Sequence, residues 1–128
     1  MSATRINPAS MGGEPAAYSN GILAPAGART LYIAGQIGID GKGVTASDFV
    51  AQCRQVWSNI QAILAEADMD ITHIVKTTIF LVNPADYPSF IEVRKETLQG
   101  HKPASTLVYV SGLAKPEWKV EVEAIAVK

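Results

Sequence analysis

The sequence predicts a single α+β domain over residues 1–128, with elements in the order β-β-α-β-α-β-β. Three observations predict it. The segment 46–67 has apolar residues at helical spacing, and the run at 74–82 is rich in β-branched residues. The residues of 118–127 alternate between the two faces of a strand. A chain of 128 residues is long enough for one core. Two helices can cover only one face of the resulting sheet.

The first two strands are expected at 18–24 and 30–37, with a turn at 25–28 that reads Pro-Ala-Gly-Ala. A helix is expected from about residue 46 to 67, with Thr45 as its N-cap and Asp48 in its first turn. Its apolar face comprises Phe49, Cys53, Val56, Trp57, Ile60, Leu64 and Ala67.

The third strand, at 74–82, leads into a second helix. Asn83 is its predicted cap and Pro84 its first residue, and the helix should reach about Leu98, with Gly100 suited to its end.

Two further strands are expected at 105–111 and 118–127. In the last strand the alternation divides the residues between two faces. Val120, Val122, Ala124 and Ala126 fall on one face, and Glu121, Glu123, Ile125 and Val127 fall on the other. The face that the helices leave open still carries apolar residues, and such a face predicts self-association.

Composition and charge exclude several classes of protein. The net charge is −1 and the 11 basic residues are scattered, so we expect no nucleic-acid partner. No apolar run approaches the roughly 20 residues of a membrane span, so we expect no membrane partner. The single cysteine, Cys53, and the absence of a secretion signal predict a cytoplasmic protein. His73 and His101 lack further ligands at metal-site spacing, so we expect no metal.

Five short motifs occur in the order of a known family. They are Ala17-Tyr18-Ser19, Leu31 to Ile37, Val75 to Leu81, Pro103-Ala104-Ser105-Thr106 and Val120 to Ala126. With them the chain resembles the reactive intermediate deaminase (Rid) family, also called endoribonuclease L-PSP, over roughly residues 5–127. The resemblance implies a chorismate-mutase-like fold, a homotrimer whose sheets form a central barrel, ligand clefts between subunits, and no cofactor.

Glu123 is the candidate catalytic residue. A mid-strand carboxylate with apolar neighbours is a candidate general acid or base, but a lone glutamate is more often a solvated or salt-bridged strand residue. The resemblance implies that the second Glu of the Glu-x-Glu-Ala-Ile-Ala ending positions the attacking water. Glu121 lies on the same face and is assigned no role.

Ser105 is the main departure from the family pattern. The resemblance implies that members acting on imino acids have an arginine here that binds the substrate carboxylate. Arginine presents two parallel donors, whereas serine offers one neutral hydroxyl on a short side chain. We therefore expect poor activity on 2-imino acids, although Ser105 is equally explained as a simple strand residue.

The resemblance implies four further positions that line the ligand. Tyr18 and Gly35 match family residues, and their ordinary explanations are a strand aromatic and a strand end. Ile91 stands where deaminating members often have asparagine, and Leu107 where cysteine is frequent. These changes indicate a more apolar cleft or a decayed site.

The sequence therefore leads to two hypotheses. In the first, the protein adds water to a small imine or enamine and releases ammonia. In the second, the trimer is non-catalytic and binds a small metabolite or acts as a regulator. A ribonuclease activity would rest on the family label alone.

Overall fold

The computed structural model describes residues 2–128, which form six strands and two α-helices around one core. In chain order the elements are β1 (Thr4–Ile6), β2 (Gly21–Leu23), β3 (Thr30–Gln36), α1 (Phe49–Glu66), β4 (Ile74–Leu81), α2 (Tyr87–Leu98), β5 (Ala104–Tyr109) and β6 (Val120–Val127). The predicted α+β class and the order of its elements are confirmed. The addition is β1, a three-residue exposed strand that carries too little apolar pattern to be recognised.

The main sheet has the strand order β3-β6-β4-β5. β6 is antiparallel to both of its neighbours, and β4 is parallel to β5. Because a parallel pair needs a crossover connection, α2 lies between these two strands in the chain. β2 pairs with β1 in a separate two-stranded sheet, with Arg5 opposite Ile22, and the predicted strand at 18–24 shortens to three residues.

Both helices pack on one face of the main sheet, as predicted. The core joins the apolar face of α1 to alternate residues of β4 and β6, and Ile60, Ile79 and Val122 are fully buried within it. The four residues that the alternation placed together on one face of β6 are all buried: Val120, Val122, Ala124 and Ala126. The opposite face is open in the single chain, where Tyr32 is 76% exposed.

The start of α1 differs from the prediction. Asp48, not Thr45, is the N-cap, and its Oδ1 accepts a hydrogen bond of 2.8 Å from the amide of Ala51. Thr45 lies in an isolated bridge with Ile39, and its hydroxyl accepts from Trp118 Nε1 at 3.4 Å. The cap prediction was wrong because Thr45 and Ala46 pair with Ile39 and Gly38 before the helix begins.

A short 3₁₀ turn precedes α2. Asn83 caps as predicted, since its Oδ1 accepts from the amide of Ala85 at 3.0 Å, but Pro84–Asp86 form a single 3₁₀ turn. α2 itself begins at Tyr87. It ends at Leu98, as predicted, and the C-cap residue Gln99 has a left-handed φ of 47° that precedes the φ of 88° at Gly100.

Candidate functional site

An irregularity in β3 brings Gly35 against a carboxylate. The pairing of β3 with β6 shifts between Ile33, which faces Ala124, and Gln36, which faces Val122. The extra residue bends β3 locally, which is the usual effect of a bulge. A Cβ at position 35 would lie only 2.8 Å from Cδ of Glu121 and closer still to its Oε2. Glycine is therefore required for the carboxylate of Glu121 to lie on this backbone.

Glu123 lies two residues after Glu121 on β6, on the same open face of the sheet. It is exposed in the single chain and lies opposite Thr78 of β4. Its negative charge acts on Lys76, which donates hydrogen bonds to Thr106 Oγ1 at 2.7 Å and to the carbonyl of Thr77 at 3.2 Å. Burial lowers the pKa of Lys76, and the negative charge of Glu123 partly opposes this shift.

Ser105 lies on the other face of the sheet. It pairs in register with Thr77, which is 1% exposed, and the Thr77 hydroxyl donates to Ser105 Oγ at 3.1 Å. This hydrogen bond satisfies a polar group on the helix-covered side.

Ile91 and Leu107 share that covered side with Ser105. Both are half-buried and pack against the core, Leu107 from β5 and Ile91 from α2. Neither offers a polar side chain, so this side of the candidate site is apolar apart from the Thr77–Ser105 pair.

Tyr18 is held near the start of β5 by its neighbour Ser19. The amide of Ser19 donates to the carbonyl of Pro103 at 3.1 Å, and its hydroxyl donates to the carbonyl of Lys102. Ser19 is 1% exposed, whereas Tyr18 is 41% exposed. The tyrosine ring is thus free to contact a ligand at the edge strand.

The sheet divides the predicted residues into two groups. Glu123 is on the open face, with Glu121 and Gly35 near it, and Ser105 is on the covered face with Leu107 and Ile91 nearby. A single small molecule cannot contact both groups through the sheet of one chain. Both groups can serve one ligand only around a sheet edge or across two copies of the chain.

Sequence reasoning missed Gln52 as a supporting residue. Its Nε2 donates to the carbonyls of Ala46 and Glu117 at 3.1 and 2.9 Å, and its Oε1 accepts from the amide of Lys119 at 2.9 Å. Gln52 thereby joins the loop before α1 to the segment that enters β6. The available signal was a polar residue three positions after Phe49, within the apolar stripe.

Other chemistries find little support among residues 2–128. No group of three His, Cys, Asp or Glu side chains in this range is placed to hold a metal ion. Cys53 is fully buried, and burial raises the pKa of its thiol to about 12 against the smaller influences of Arg54 and Trp57. A thiol that stays protonated is a poor nucleophile. No helix in this range has the length and apolar character needed to cross a membrane.

A family model and a known deaminase both match most of this chain. The family model described as Endoribonuclease L-PSP matches residues 11–128. A 2-iminobutanoate/2-iminopropanoate deaminase of Rattus norvegicus is 38% identical over 114 residues, covering 88% of this chain and 80% of the relative.

Solved structures agree with this match. A Rid family protein of unknown function from Yersinia pestis, YyfB, has a TM-score of 0.87 at 31% identity, over 98% of both chains. TdcF of E. coli with bound serine has a TM-score of 0.74 at 28% identity, over 99% of this chain and 93% of that one.

Proposed function

Because the chain belongs to the endoribonuclease L-PSP family, also called the Rid family, we propose that it hydrolyses a small imine or enamine and releases ammonia. The similarity to a 2-iminobutanoate/2-iminopropanoate deaminase supports this reaction class. The serine bound to the structural relative TdcF supports a ligand of amino-acid size.

The reaction needs one carboxylate and no cofactor. Water adds to the carbon of the C=N bond while the carboxylate accepts a proton from that water, so a C–O bond forms. The carboxylate passes that proton to the nitrogen, which becomes an amine. The C–N bond then breaks while the new hydroxyl gives its own proton to the nitrogen, so ammonia leaves and a carbonyl compound remains. A positioned general base of this kind contributes about 10²–10⁴-fold to the rate.

The observation that carries the proposal is the carboxylate held against the bulge at Gly35. Glu123 is the residue predicted to orient the water, and that role stays a prediction. Glu121 is a second candidate, and its placement is the better one. It is half-buried, whereas Glu123 is exposed, and its carboxylate lies on backbone that has no side chain to exclude a ligand.

We propose a homotrimer with its ligand cleft between subunits, in the cytoplasm. In one chain the sheet separates Ser105, Leu107 and Ile91 from Glu121 and Glu123, and a second copy could bring the two groups to one ligand. The open sheet face supports association, because Tyr32, Val108 and other apolar side chains are exposed on it.

Ser105 would restrict the substrate. Its hydroxyl already accepts a hydrogen bond from Thr77, and it carries no charge to bind a carboxylate. Hydrogen bonds to charged groups are worth about 1.5–3 kcal/mol, so an α-carboxylate should bind roughly ten- to hundredfold more weakly than it would to an arginine. We therefore propose poor activity on 2-imino acids.

The test compares Glu121→Gln with Glu123→Gln, which change the same group two residues apart on the same strand. Ammonia release is measured from small imines generated in situ. We expect Glu121→Gln to lower turnover by about 10²–10⁴-fold and Glu123→Gln to lower it less. The reverse order would assign the water to Glu123, and full turnover by both variants would contradict the carboxylate mechanism.

A second experiment isolates Ser105. The native protein and Ser105→Arg are compared on 2-imino acids, with circular dichroism melting as the control for folding. A gain of activity in the variant supports a competent water site that lacks only a carboxylate partner. A native protein already active on 2-imino acids would refute the proposed role of Ser105.

A non-catalytic trimer that binds a small metabolite is the second candidate function. The apolar residues Ile91 and Leu107 beside Ser105 favour it, because they remove polar groups from the covered side. A compound that raises the melting temperature without being consumed, together with no turnover of any imine, would favour this function.

A further inference from the structure

A cavity of about 350 Å³ lies between α2 and the segment that precedes β2. Its volume falls within the range of small-molecule sites, which is roughly 300–1,000 Å³. Ala17, Ile91 and Leu98 give it apolar walls. Its polar lining is of one sign, since four basic residues border it and none of the described lining residues is an aspartate or glutamate: Arg94, Lys95, His101 and Lys102.

Two of these basic residues are already engaged. His101 Nε2 lies 2.7 Å from the carbonyl oxygen of Ile74. Lys102 donates to the carbonyl of Pro15 at 3.2 Å and lies 3.5 Å from the carboxylate of Glu14. The two contacts of Lys102 hold the N-terminal segment, which contributes Ala16 and Ala17 to the cavity wall.

Arg94 is different. It is half-buried, and among residues 2–128 no carboxylate lies within salt-bridge distance of it. Its guanidinium carbon stands 5.7 Å from the centre of the Phe90 ring, which supports one side of the group. Burial lowers the pKa of Arg94, with Tyr87 acting in the opposite direction, as expected for a cation whose charge is not balanced nearby.

We propose that this cavity binds a small organic carboxylate, with Arg94 holding the carboxylate and Ile91, Leu98 and Ala17 contacting a short apolar body. The planar guanidinium presents parallel donors that match the two carboxylate oxygens. Lys95, one residue on and free of ion pairs among the described residues, adds positive charge at the rim.

This site is separate from the proposed water site of the same chain. Ile91 of the covered-side group lines the cavity, but Glu121, Glu123 and Ser105 do not. The inference concerns binding alone and does not require turnover, so the failure of one proposal leaves the other standing.

The test measures binding to the full-length protein by calorimetry at low salt. Butanoate is the probe, and butanamide is the neutral compound of nearly the same shape. We expect saturable binding of butanoate, weaker or no binding of butanamide, and a loss of butanoate affinity of about ten- to hundredfold in Arg94→Gln. Arg94→Lys should keep part of the affinity, because lysine keeps the positive charge but lacks the two parallel donors of the guanidinium.

Arg54→Gln is the matched control. Arg54 is an exposed arginine on α1, 3.4 Å from Glu96, away from the cavity. Its loss should leave butanoate binding unchanged. Equal affinity for butanoate and butanamide, or an equal loss in Arg54→Gln and Arg94→Gln, would overturn the proposal.

A measurement on the native protein guards against a variant that does not fold. Titration with butanoate should shift the NMR amide signals of Ala17 and Ile91 together, with one saturation curve. Shifts confined to residues outside the cavity, or no shifts at all, would also overturn the proposal.

Discussion

The two faces of the main sheet use the same strands for different purposes. On the covered face, Ile79, Leu81 and Val122 are fully buried under the helices. On the open face their neighbours Thr78 and Glu121 are half-buried and Glu123 is exposed. Hydrophobic packing on the covered face therefore specifies the fold, and the open face is left free to carry charged side chains.

Polar side chains on the covered face depend more strongly on hydrogen-bond partners than those on the open face. Thr77 and Ser105 bond to each other, and Gln52 on α1 makes three hydrogen bonds. A polar group buried without a partner would cost about 1–3 kcal/mol, which these three side chains avoid. The buried indole N–H of Trp57 is an exception, since it has no hydrogen-bond partner. On the open face, by contrast, Glu123 and Lys76 interact through charge alone, without an ion pair in contact.

The largest expected effect compares two adjacent residues of β4. Ile79→Ala empties a fully buried position and should lower the free energy of unfolding by about 2–5 kcal/mol. Thr78→Ala changes the opposite face and should lower it by less than about 1 kcal/mol. Urea denaturation of both variants at one protein concentration provides the measurement.

An equal cost at the two positions would break the comparison. It would mean that the open face is buried as deeply as the covered one in the assembled protein. Repeating the experiment at several protein concentrations identifies that case, because stability that comes from association depends on concentration.

An intermediate effect is expected at Gly35. In Gly35→Ala the added methyl group must displace the carboxylate of Glu121, so turnover should fall by about ten- to hundredfold, as expected for a group misplaced by about 1 Å. Gly41→Ala is the control, since a Cβ at position 41 meets no atom within 4 Å. Unchanged turnover in Gly35→Ala would remove Glu121 from the mechanism.

The smallest effect concerns Lys76 and Glu123. Glu123→Gln removes the charge that opposes desolvation, so the pKa of Lys76 should fall further below its usual value of 10.5. NMR titration of the Lys76 side chain follows the shift. An unchanged or higher pKa would show that the two groups do not interact across the open face.

The sign of the accompanying stability change follows from the depressed pKa. Between the folded and unfolded pKa values of Lys76, the unfolded chain binds more protons than the folded one. Stability therefore rises as the pH increases through that window, and it is lost as the pH falls through the folded pKa. Glu123→Gln should extend this window to lower pH.

Local patterns were enough for most of the fold. The alternation of Val120 and Val122 with Glu121 and Glu123 predicted which residues of β6 share a face, because side chains alternate strictly along a strand. The helical spacing of α1 predicted its inward face in the same way. Caps were less certain, since Thr45 and Asp48 are both good capping residues and a contact between Thr45 and the distant Trp118 decided between them.

The candidate site was less predictable. The motifs identified Gly35, Ser105 and Glu123, but a list of motifs contains no information about which side chains share a face. A register shift in β3 is invisible in one strand taken alone, because it exists only in the pairing with β6. The contact of Gly35 with Glu121 therefore became apparent only when the strands were aligned.

Periodicity and composition alone establish the α+β class, the two helices on one side, and the buried half of β6, since each depends on interactions between near neighbours in the chain. The tertiary structure alone places Glu121 on Gly35, Ser105 beside Thr77, and Arg94 in a cavity with no carboxylate partner among residues 2–128. Each of these depends on residues far apart in sequence, whose distance is set by how the strands pair and how the helices pack.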